Sequence, residues 1–468
     1  MSSDILSRLV EIVGKNNVLT DFEAMETYLR EWRDLFVGKA RAVVRPGSTA
    51  EVSAVVNLAS EAGATIVPQG GNTGLVGGQI PTGDGQEIVL SLQRLNAIRE
   101  TNTNSNTMVV EAGVTLLAAQ QAAERVGRLF PLSLASEGSC TIGGNLSTNA
   151  GGTAVIAYGN ARDLCLGLEV VLADGRIWNG LRHLRKDNSS YAFKDLFIGA
   201  EGTLGIITAA VLKLFPVPTA RSTAFVAISN PEVALDLLNA ASVSAGGTLT
   251  TFELIPRIGL DFVLRHTAGS RDPLSAPSPW YVLMEVSGQS EAGLSEAVEA
   301  FLADALEKEL IVDAALASSM DQRAAFWRLR EALADVQRYE GASIKHDISI
   351  PLHEIPNFIS RANDMIESMV PGGRTLAFGH LGDGNVHYNI SQPIGMDKEA
   401  FLSRSHLVND AVHAIVVELS GTIAAEHGVG RFKRDKILTI KDDVEIDLMK
   451  KLKNAFDPNH IMNIGSKI

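Results

Sequence analysis

The fold of this chain is indicated most directly by the stretch PQGGNTGLVGG at residues 68–78, which places five glycines in eleven positions. A strand-like run, ATIVP (64–68), leads straight into it. Backbone N–H groups can surround a phosphate only where no Cβ blocks the approach. The spacing matches neither GxGxxG nor GxxxxGK[ST], which excludes the Rossmann and P-loop motifs. The alternative interpretation is a tight surface turn.

Two more glycine-rich stretches follow, SEGSCTIGGNLSTNAGG (136–152) and FIGAEGTLGIIT (197–208). Three such loops in one half of the chain, two of them bounded by apolar strands, favour a large phosphate-bearing cofactor over surface turns. Around them, strand and helix signals alternate, as in the strand RAVVRP (41–46) and the helix that opens with the capping box Ser48–Glu51.

The second half of the chain has fewer glycines and a different pattern. The run FPVPTARS (215–222) contains two prolines between apolar segments and indicates a domain junction. We therefore predict domains at 1–219 and 220–468. Further strands and helices are expected after the junction, with helices near 289–308, 320–340, 353–369 and 399–420, so the class is α+β in both halves.

The composition narrows the functional class. Lys and Arg total 41, Asp and Glu total 54, and the net charge of −13 without a dense basic stripe argues against nucleic-acid binding. The two cysteines, Cys140 and Cys165, form neither a disulfide framework nor a zinc motif. No signal peptide, transit peptide or membrane span is recognisable, so we expect a cytoplasmic protein.

The segment TLAFGHLGDGNVHYNIS (375–391) predicts a β-hairpin with a two-residue turn at Asp383-Gly384. That register places His380 directly across from His387, with Cβ atoms about 5 Å apart. Asn389 shares their face. The alternative is that the two histidines are an ordinary cross-strand pair on a half-buried sheet.

A third metal ligand must come from elsewhere, and AAEHGVGR (424–431) offers Glu426 and His427. Two imidazoles and one carboxylate with an open position form the pattern of a catalytic zinc site, although Mn²⁺, Fe²⁺ or Co²⁺ suits the same donors. Adjacent residues of a regular strand point to opposite faces, so Glu426 and His427 serve one site only if the backbone is irregular, as Gly428 and Gly430 allow.

Basic side chains that could bind a carboxylate occur in residues 321–352, which predict a long helix, a stop at Gly341 and a strand. Most Arg residues on such a helix simply extend into water. An Arg that binds substrate would use its bidentate fork, and a Lys would add a point charge. The candidates are Arg323, Arg330, Arg338, Lys345 and His346.

Residues 40–218 resemble the FAD-binding domain of the vanillyl-alcohol-oxidase-type (PCMH-type) flavoproteins through the three glycine-rich stretches. HLRKDN (183–188), HLGDGNVHYN and AEHGVG extend the resemblance to the D-lactate and glycolate dehydrogenase group that includes the D-2-hydroxyglutarate dehydrogenases. It implies a two-subdomain PCMH-type FAD-binding domain, followed by an α+β substrate and metal domain whose tail returns to the flavin. The first loop holds no His and Cys140 is the only nearby nucleophile, so we expect non-covalent FAD. The implied cofactor-binding residues are Pro68, Gly70, Gly71, Asn72, Thr73, Gly74, Gly77, Gly78, Ser136, Gly138, Ser139, Gly143, Gly144, Asn149, Gly151, Gly152, Glu201, Gly202, Ile207 and Asn463.

The same resemblance implies a divalent metal, with zinc expected, and assigns His427 as general base. The implied reaction is oxidation of a D-2-hydroxy acid with hydride transfer to flavin N5. (R)-2-hydroxyglutarate is expected first, and D-lactate or D-malate second. One departure stands out: Ala334 occupies the place of a substrate-binding Thr. The implied metal ligands are His380, His387 and Glu426, and the implied substrate-binding residues are Arg330, Lys345 and Asn389.

The electron acceptor expected for this group is an electron-transfer flavoprotein or a quinone. A homodimer is common among such flavoproteins, but the sequence carries no interface signal. Two other classes remain at this point. One is a metal hydrolase that uses the two histidines and Glu426 without redox chemistry, and the other is a non-catalytic FAD subunit of an oxidase complex.

Overall fold

The structure, a computed structural model, describes residues 2–290 and 293–467. Packing divides the chain into two units. The first comprises Met1–Gly151, Gly159–Val217 and Glu426–Ile468, and the second comprises Gly152–Tyr158 and Pro218–Ala425. One crossing of the chain between the units, at Val217–Pro218, lies two residues before the predicted junction at 219/220.

The first unit contains two main sheets and a two-stranded ribbon. Strands and helices are numbered in chain order over the whole chain. Its strands are β1 (Val18–Leu19), β2 (Ala42–Val44), β3 (Ile66–Gln69), β4 (Ile88–Ser91), β5 (Ile98–Asn102), β6 (Thr107–Glu111), β7 (Arg128–Leu129), β8 (Cys165–Val171), β9 (Ile177–Gly180), β10 (Ile206–Lys213) and β11 (Phe215–Pro216). Its helices are α1 (Ser2–Val13), α2 (Phe22–Leu29), α3 (Thr49–Ala62), α4 (Leu116–Glu124), α5 (Ile142–Thr148), α7 (Phe193–Phe197), α15 (Arg434–Ile440) and α16 (Asp443–Phe456).

The smaller sheet carries the first glycine loop. Its order is β1-β2-β4-β3, with β2, β4 and β3 parallel. The crossover between β2 and β3 is α3, which begins where the Ser48 side chain accepts from the Glu51 N–H, as the capping box predicts. The larger sheet is antiparallel, in the order β5-β6-β10-β8-β9. Apolar side chains of α1, α3 and both sheets form one buried core.

The second unit is built on one seven-stranded antiparallel sheet, ordered β15-β12-β14-β13-β17-β18-β16. Its strands are β12 (Ala220–Ile228), β13 (Leu249–Pro256), β14 (Trp280–Gly288), β15 (Asp313–Leu316), β16 (Ser343–Ser349), β17 (Arg374–His380) and β18 (Asn385–Ser391). Its helices are α6 (Val155–Tyr158), α8 (Pro231–Ala245), α9 (Arg257–His266), α10 (Leu294–Glu307), α11 (Met320–Val336), α12 (Ile355–Met369), α13 (Lys398–Leu402) and α14 (Ser405–Glu418).

Helices cover both faces of this sheet. Leu376 and Phe378 of β17 belong to a buried core that includes residues of α9 and α11. On the other face, the Tyr388 ring of β18 meets Phe358 of α12 edge-to-face, with ring centroids 5.3 Å apart. Alternate residues of β17 and β18 therefore point either to the α9–α11 layer or to the α12 layer.

The α+β class predicted from the sequence is confirmed in both units. The single helix expected near 399–420 is wrong, because the chain turns at Ser403, whose hydroxyl donates to the carbonyl of Ala400, and forms α13 and α14 instead. Within the part of the chain that the structure describes, no helix combines the length and the apolar composition that crossing a membrane requires.

Candidate functional site

The three glycine-rich loops pack tightly against one another in the first unit. A Cβ on Gly70 would collide with the hydroxyl of Thr141, and one on Gly71 would collide with the carbonyl of Ser139. These two contacts join the first loop to the second. The third loop packs against the first in the same way, since a Cβ on Gly202 would collide with the ring of Pro68. Glycine is therefore required where the loops meet.

Three carboxamides beside these loops hold acceptor oxygens that could bind a nucleotide. The side-chain NH₂ of Gln69 donates to two carbonyls at 2.9 Å, that of Asn72 donates to two more at 2.9 Å, and that of Asn463 donates to the Glu201 carbonyl at 2.8 Å. These bonds fix which way each amide faces. Their oxygens are buried, and none has a hydrogen-bond partner among residues 2–290 and 293–467.

A buried acceptor without a partner is costly, so these oxygens suit a ligand rich in N–H and O–H donors. FAD offers such donors on its flavin ring, ribityl chain and adenine, and the residues therefore fit it. The family resemblance implied Asn72 and Asn463 as cofactor-binding residues, but it did not include Gln69. The signal for Gln69 was its position at the end of β3, immediately before the first glycine loop.

The remaining predicted cofactor residues lie in or next to the loops. Asn149 takes the left-handed conformation that ends α5, with φ 53°, and Ile207 is buried in β10 opposite Val170. Gly138 has open space where a Cβ would be. Gly151 faces Glu426, whose carboxylate oxygen would lie 2.5 Å from an added Cβ. Gly152 falls in the second unit.

Cys140, the one nucleophile that the sequence analysis considered for covalent flavin attachment, is buried. Its thiol lies 3.6 Å from the Asn145 side-chain nitrogen. Burial raises the pKa of the Cys140 thiol. A nucleophilic thiolate is therefore disfavoured at this position.

His380 and His387 lie on the α9–α11 face of the second unit's sheet, but not in the predicted register. The structure pairs Phe378, rather than His380, with His387. The two-residue turn at Asp383-Gly384 was wrong, because Leu381–Asp383 form a 3-10 turn and Gly384 follows with φ 84°. The connection is longer, and the register shifts by two residues.

A shift of two residues preserves the face of each side chain. His380 and His387 are therefore diagonal neighbours, with ring centroids 5.7 Å apart, and the prediction that they share a face is confirmed. Phe378 of β17 is on the same face, directly opposite His387, with the two ring centroids 5.2 Å apart.

Glu253, on the neighbouring strand β13, orients His380 and was not found from the sequence. Its side chain is fully buried and pairs across the strands with His380. One carboxylate oxygen lies 2.6 Å from Nδ1 of His380, and the other accepts from Nε of Arg330 at 2.7 Å. Burial raises the pKa of Glu253, but Arg330 and His380 outweigh it and bring that pKa down to about 2.

The carboxylate contact at Nδ1 leaves Nε2 of His380 as the atom for a metal. Histidine ligands in metalloenzymes commonly hold their second nitrogen against a carboxylate in this way, which fixes the tautomer and makes the ring more basic. The donor set of the hairpin thus fits a divalent metal. No short-range sequence pattern marks Glu253, which is 127 residues from its histidine.

The predicted substrate residues share the α11 side of this sheet. Arg330 is buried, with its guanidinium carbon 5.1 Å from the centre of the Phe378 ring. The Lys345 ammonium donates to the backbone carbonyl of Ala334 at 3.1 Å. Ala334 is the residue that occupies the place of the substrate-binding Thr implied by the family resemblance. Lys345 and Asn389 are directly opposite each other on β16 and β18.

The Asn389 side chain already has protein partners. Its NH₂ donates to Oε1 of the buried Gln337 at 3.1 Å, and its oxygen accepts from the His346 backbone N–H at 3.3 Å. Gln337 was not identified from the sequence, where it is an ordinary residue at the end of a helix. The other three basic candidates have different partners: Arg323 binds Glu285 at 2.7 Å, and Arg338 donates to the Tyr339 hydroxyl at 3.0 Å. Nδ1 of His346 lies 2.8 Å from the carbonyl oxygen of Tyr388.

Glu426 and His427 begin the last segment of the first unit. The irregular backbone predicted there is confirmed by Gly428 with φ 80° and Gly430 with φ 51°. The chain that leads to Glu426 is anchored in the second unit, where Thr422 exchanges backbone hydrogen bonds of 2.8 and 3.0 Å with Ser349 of β16. This bridge is antiparallel, so the residues after Thr422 start out in the direction of Asp347, which is opposite His387.

Comparison with known proteins shows the family to which the chain is related. A family model described as the FAD binding domain matches residues 40–180, and one described as FAD linked oxidases, C-terminal domain, matches residues 217–466. The D-2-hydroxyglutarate dehydrogenase of Arabidopsis thaliana, a mitochondrial protein, is 37% identical over 99% of this chain and 81% of its own length. The D-2-hydroxyglutarate dehydrogenase of Xanthomonas citri pv. viticola is 34% identical over 99% of this chain and 97% of its own.

The chain belongs to the D-2-hydroxyglutarate dehydrogenase family. Among solved structures, p-cresol methylhydroxylase has the same fold, with a TM-score of 0.77, 16% identity, and coverage of 99% of this chain and 96% of its own. The PCMH-type architecture is thus confirmed, and the chain is an FAD-linked dehydrogenase of D-2-hydroxy acids. Family membership sets aside the metal hydrolase and the non-catalytic FAD subunit.

Proposed function

We propose that this enzyme oxidises (R)-2-hydroxyglutarate to 2-oxoglutarate with FAD and one divalent metal ion. The similarity to several D-2-hydroxyglutarate dehydrogenases over nearly the whole chain supports this substrate. The observation that carries the metal-assisted mechanism is the carboxylate of Glu253 on Nδ1 of His380, next to His387 on the same face. A metal ligand has this environment, whereas a histidine in an apolar core does not require it.

In this proposal His380, His387 and Glu426 hold the metal, with zinc as the expected ion. When bound, the ion acts as a Lewis acid on the 2-hydroxyl, and FAD accepts the hydride from C2. His427 takes the hydroxyl proton as general base, which an imidazole can do near neutral pH. These roles come from the match of the residues to the family and from the chemistry of the donors.

Arg330, Lys345 and Asn389 are proposed to position the two carboxylates of the substrate. Arg330 uses Nε to bind Glu253, and the guanidinium carries further N–H donors on its two Nη atoms. The Lys345 ammonium adds positive charge on the same face of the sheet. Holding both carboxylates fixes C2 and its hydroxyl, and such positioning supplies a large part of catalysis.

The test is a substrate panel under anaerobic conditions. (R)-2-hydroxyglutarate, (S)-2-hydroxyglutarate, D-lactate and D-malate are added to the FAD- and metal-loaded enzyme, and loss of the flavin absorbance is followed. The proposal predicts the fastest reduction with (R)-2-hydroxyglutarate and none with the (S) enantiomer. Faster reduction by D-lactate or D-malate would replace the substrate and leave the reaction class intact.

The acceptor that reoxidises the reduced flavin can be identified by following the same flavin absorbance. The D-2-hydroxyglutarate–pyruvate transhydrogenase of Saccharomyces cerevisiae is 32% identical over 99% of this chain and 94% of its own length. We therefore propose that pyruvate be compared with an electron-transfer flavoprotein and a quinone as the group that reoxidises the reduced enzyme. The expected acceptor is the electron-transfer flavoprotein or the quinone. Rapid reoxidation by pyruvate, with D-lactate formed, would make this enzyme a transhydrogenase.

The cytoplasmic location expected from the sequence stays a prediction.

A further inference from the structure

Glu201, in the third glycine-rich loop, has a side chain that the flavin prediction does not account for. The residue is 8% exposed, and its backbone is in the left-handed region, with φ 54°. Its carboxylate accepts the backbone N–H of Val429 at 2.8 Å and that of Gly430 at 2.7 Å. Both donors belong to the segment that begins with Glu426 and His427.

The end of the chain completes the environment of this carboxylate. The Ser466 hydroxyl lies 3.2 Å from it and the Lys467 ammonium 3.5 Å, while Asn463 donates to the Glu201 carbonyl at 2.8 Å. The Lys467 backbone N–H also donates to the carbonyl of Gly430 at 3.1 Å. We call Glu201, residues 428–430 and residues 463–467 the Glu201 clasp.

The clasp acts on a segment of irregular backbone. Residues 426–430 form neither helix nor strand, and Gly428 and Gly430 give the backbone wide conformational freedom. Two hydrogen bonds to one buried carboxylate are charge-assisted and therefore strong. They fix the direction of the 428–429 and 429–430 peptide groups, which are the second and third after His427. A side chain on Gly428 would meet the Glu201 carboxylate at 2.8 Å, so the loop has little room to move toward it.

We propose that Glu201, in the third glycine-rich loop, is a positioning residue for His427 and holds residues 426–430 in place; this rests on the proposed role of His427 as general base. Glu201 acts through the Val429 and Gly430 peptides and does not itself contact the reacting atoms. Loss of the clasp lets His427 shift, and displacements of about 1 Å can cost on the order of 100-fold in rate.

The test compares Glu201→Gln with a matched variant, Asp457→Asn. Asp457 is also fully buried and accepts two backbone N–H groups, those of Ile461 at 3.0 Å and Met462 at 2.8 Å. Its carboxylate also accepts from the Lys453 ammonium at 2.7 Å, and none of these three partners belongs to residues 426–430. Each variant keeps the volume of its side chain and replaces one acceptor oxygen with a donor. Each protein is measured with FAD and metal bound, at equal flavin occupancy.

Two readouts are needed. The first is amide hydrogen exchange in peptides covering 426–431, which the proposal predicts to be faster in Glu201→Gln and unchanged in Asp457→Asn. The second is the anaerobic rate of flavin reduction per bound FAD, with the substrate dissociation constant taken from its concentration dependence. For Glu201→Gln the rate should fall about 10- to 100-fold while the dissociation constant changes less than about threefold. For Asp457→Asn only the melting temperature should fall.

The outcomes separate this inference from the proposed function. Wild-type flavin reduction by Glu201→Gln, or unchanged exchange at 426–431, would overturn the clasp as a positioning device. If Glu201→Gln does not fold, Ser466→Ala, which removes one donor to the carboxylate, is measured with the same expectations and a smaller effect. A His427→Asn enzyme that still reduces flavin at the wild-type rate would refute the base assignment, while the exchange data would still show whether Glu201 orders the loop.

Discussion

Replacing Glu253 with Gln should weaken metal binding and destabilise the second unit by separable mechanisms. The Glu253 carboxylate lies 2.6 Å from Nδ1 of His380 and accepts a hydrogen bond from Nε of Arg330 at 2.7 Å. The Glu253 side chain is fully buried. Gln keeps the shape but has one acceptor oxygen and no charge. Arg330, 7% exposed, is then left as a buried cation without its counter-charge.

The size of each effect follows from this geometry. Removing one partner of a buried ion pair costs about 3–5 kcal/mol. For a unit of this size each kcal/mol lowers the melting temperature by about 2–4 °C, so Glu253→Gln should melt roughly 6–20 °C below wild type. Loss of the carboxylate behind a histidine ligand typically weakens metal binding about 10- to 100-fold. The melting temperature comes from calorimetry and the metal affinity from competition with a chelating dye.

The double variant Glu253→Gln, Arg330→Met separates the two effects. Removing the stranded cation should recover much of the lost stability, because buried ion pairs can often be replaced by apolar side chains. It should not recover the metal affinity, since Nδ1 of His380 still lacks its carboxylate. An unchanged metal affinity in Glu253→Gln would refute the idea that Glu253 orients a metal ligand.

Three further predictions concern other parts of the molecule. Ala334→Thr should lower the KM for (R)-2-hydroxyglutarate about fivefold with little change in kcat, because it adds a neutral hydrogen bond of about 1 kcal/mol beside Lys345; an unchanged KM would remove this position from the substrate site. Glu340 has a pKa of about 2, since hydrogen bonds from His266, Arg374 and Arg265 outweigh the opposing effect of burial. Its pKa is lower in the folded than in the unfolded chain, so its contribution to stability is complete above the unfolded pKa, near 4.5, and is lost as the pH falls toward 2. Denaturant midpoints of Glu340→Gln should therefore lie below wild type at pH 7, and the difference should become smaller at pH 3 and approach zero only near pH 2; a constant difference would contradict this. Cys140→Ser should retain FAD, and acid precipitation of either protein should release all of the flavin; flavin that stays on the wild-type chain alone would show a covalent bond at this thiol.

What the sequence predicted well is local or periodic. Glycine loops reveal themselves because backbone approach requires the absence of a side chain, and Gly70, Gly71 and Gly202 each meet such a contact. The shared face of His380 and His387 survived the error in register because side chains alternate with a period of two.

What the sequence could not supply are partners brought together by tertiary packing. Glu253 lies in the buried strand LTTFELIP, and nothing near it in sequence indicates that it serves a histidine 127 residues away and an arginine 77 residues away. The same holds for Glu201, whose flavin-loop position was clear but whose carboxylate is used by residues more than two hundred positions later. The turn at Leu381–Asp383 was missed because an Asp-Gly pair also fits the end of a 3-10 turn, where Asp383 is the last residue and Gly384 follows with φ 84°.

The metal dependence of a single turnover tests the central claim most directly. FAD-loaded enzyme is freed of metal with a chelator, and metal analysis verifies the removal. (R)-2-hydroxyglutarate is then added without oxygen. The proposed chemistry predicts that the flavin stays oxidised until Zn²⁺ or Mn²⁺ is supplied, after which one 2-oxoglutarate forms per FAD. Flavin reduction at the full rate in the metal-free enzyme would contradict it.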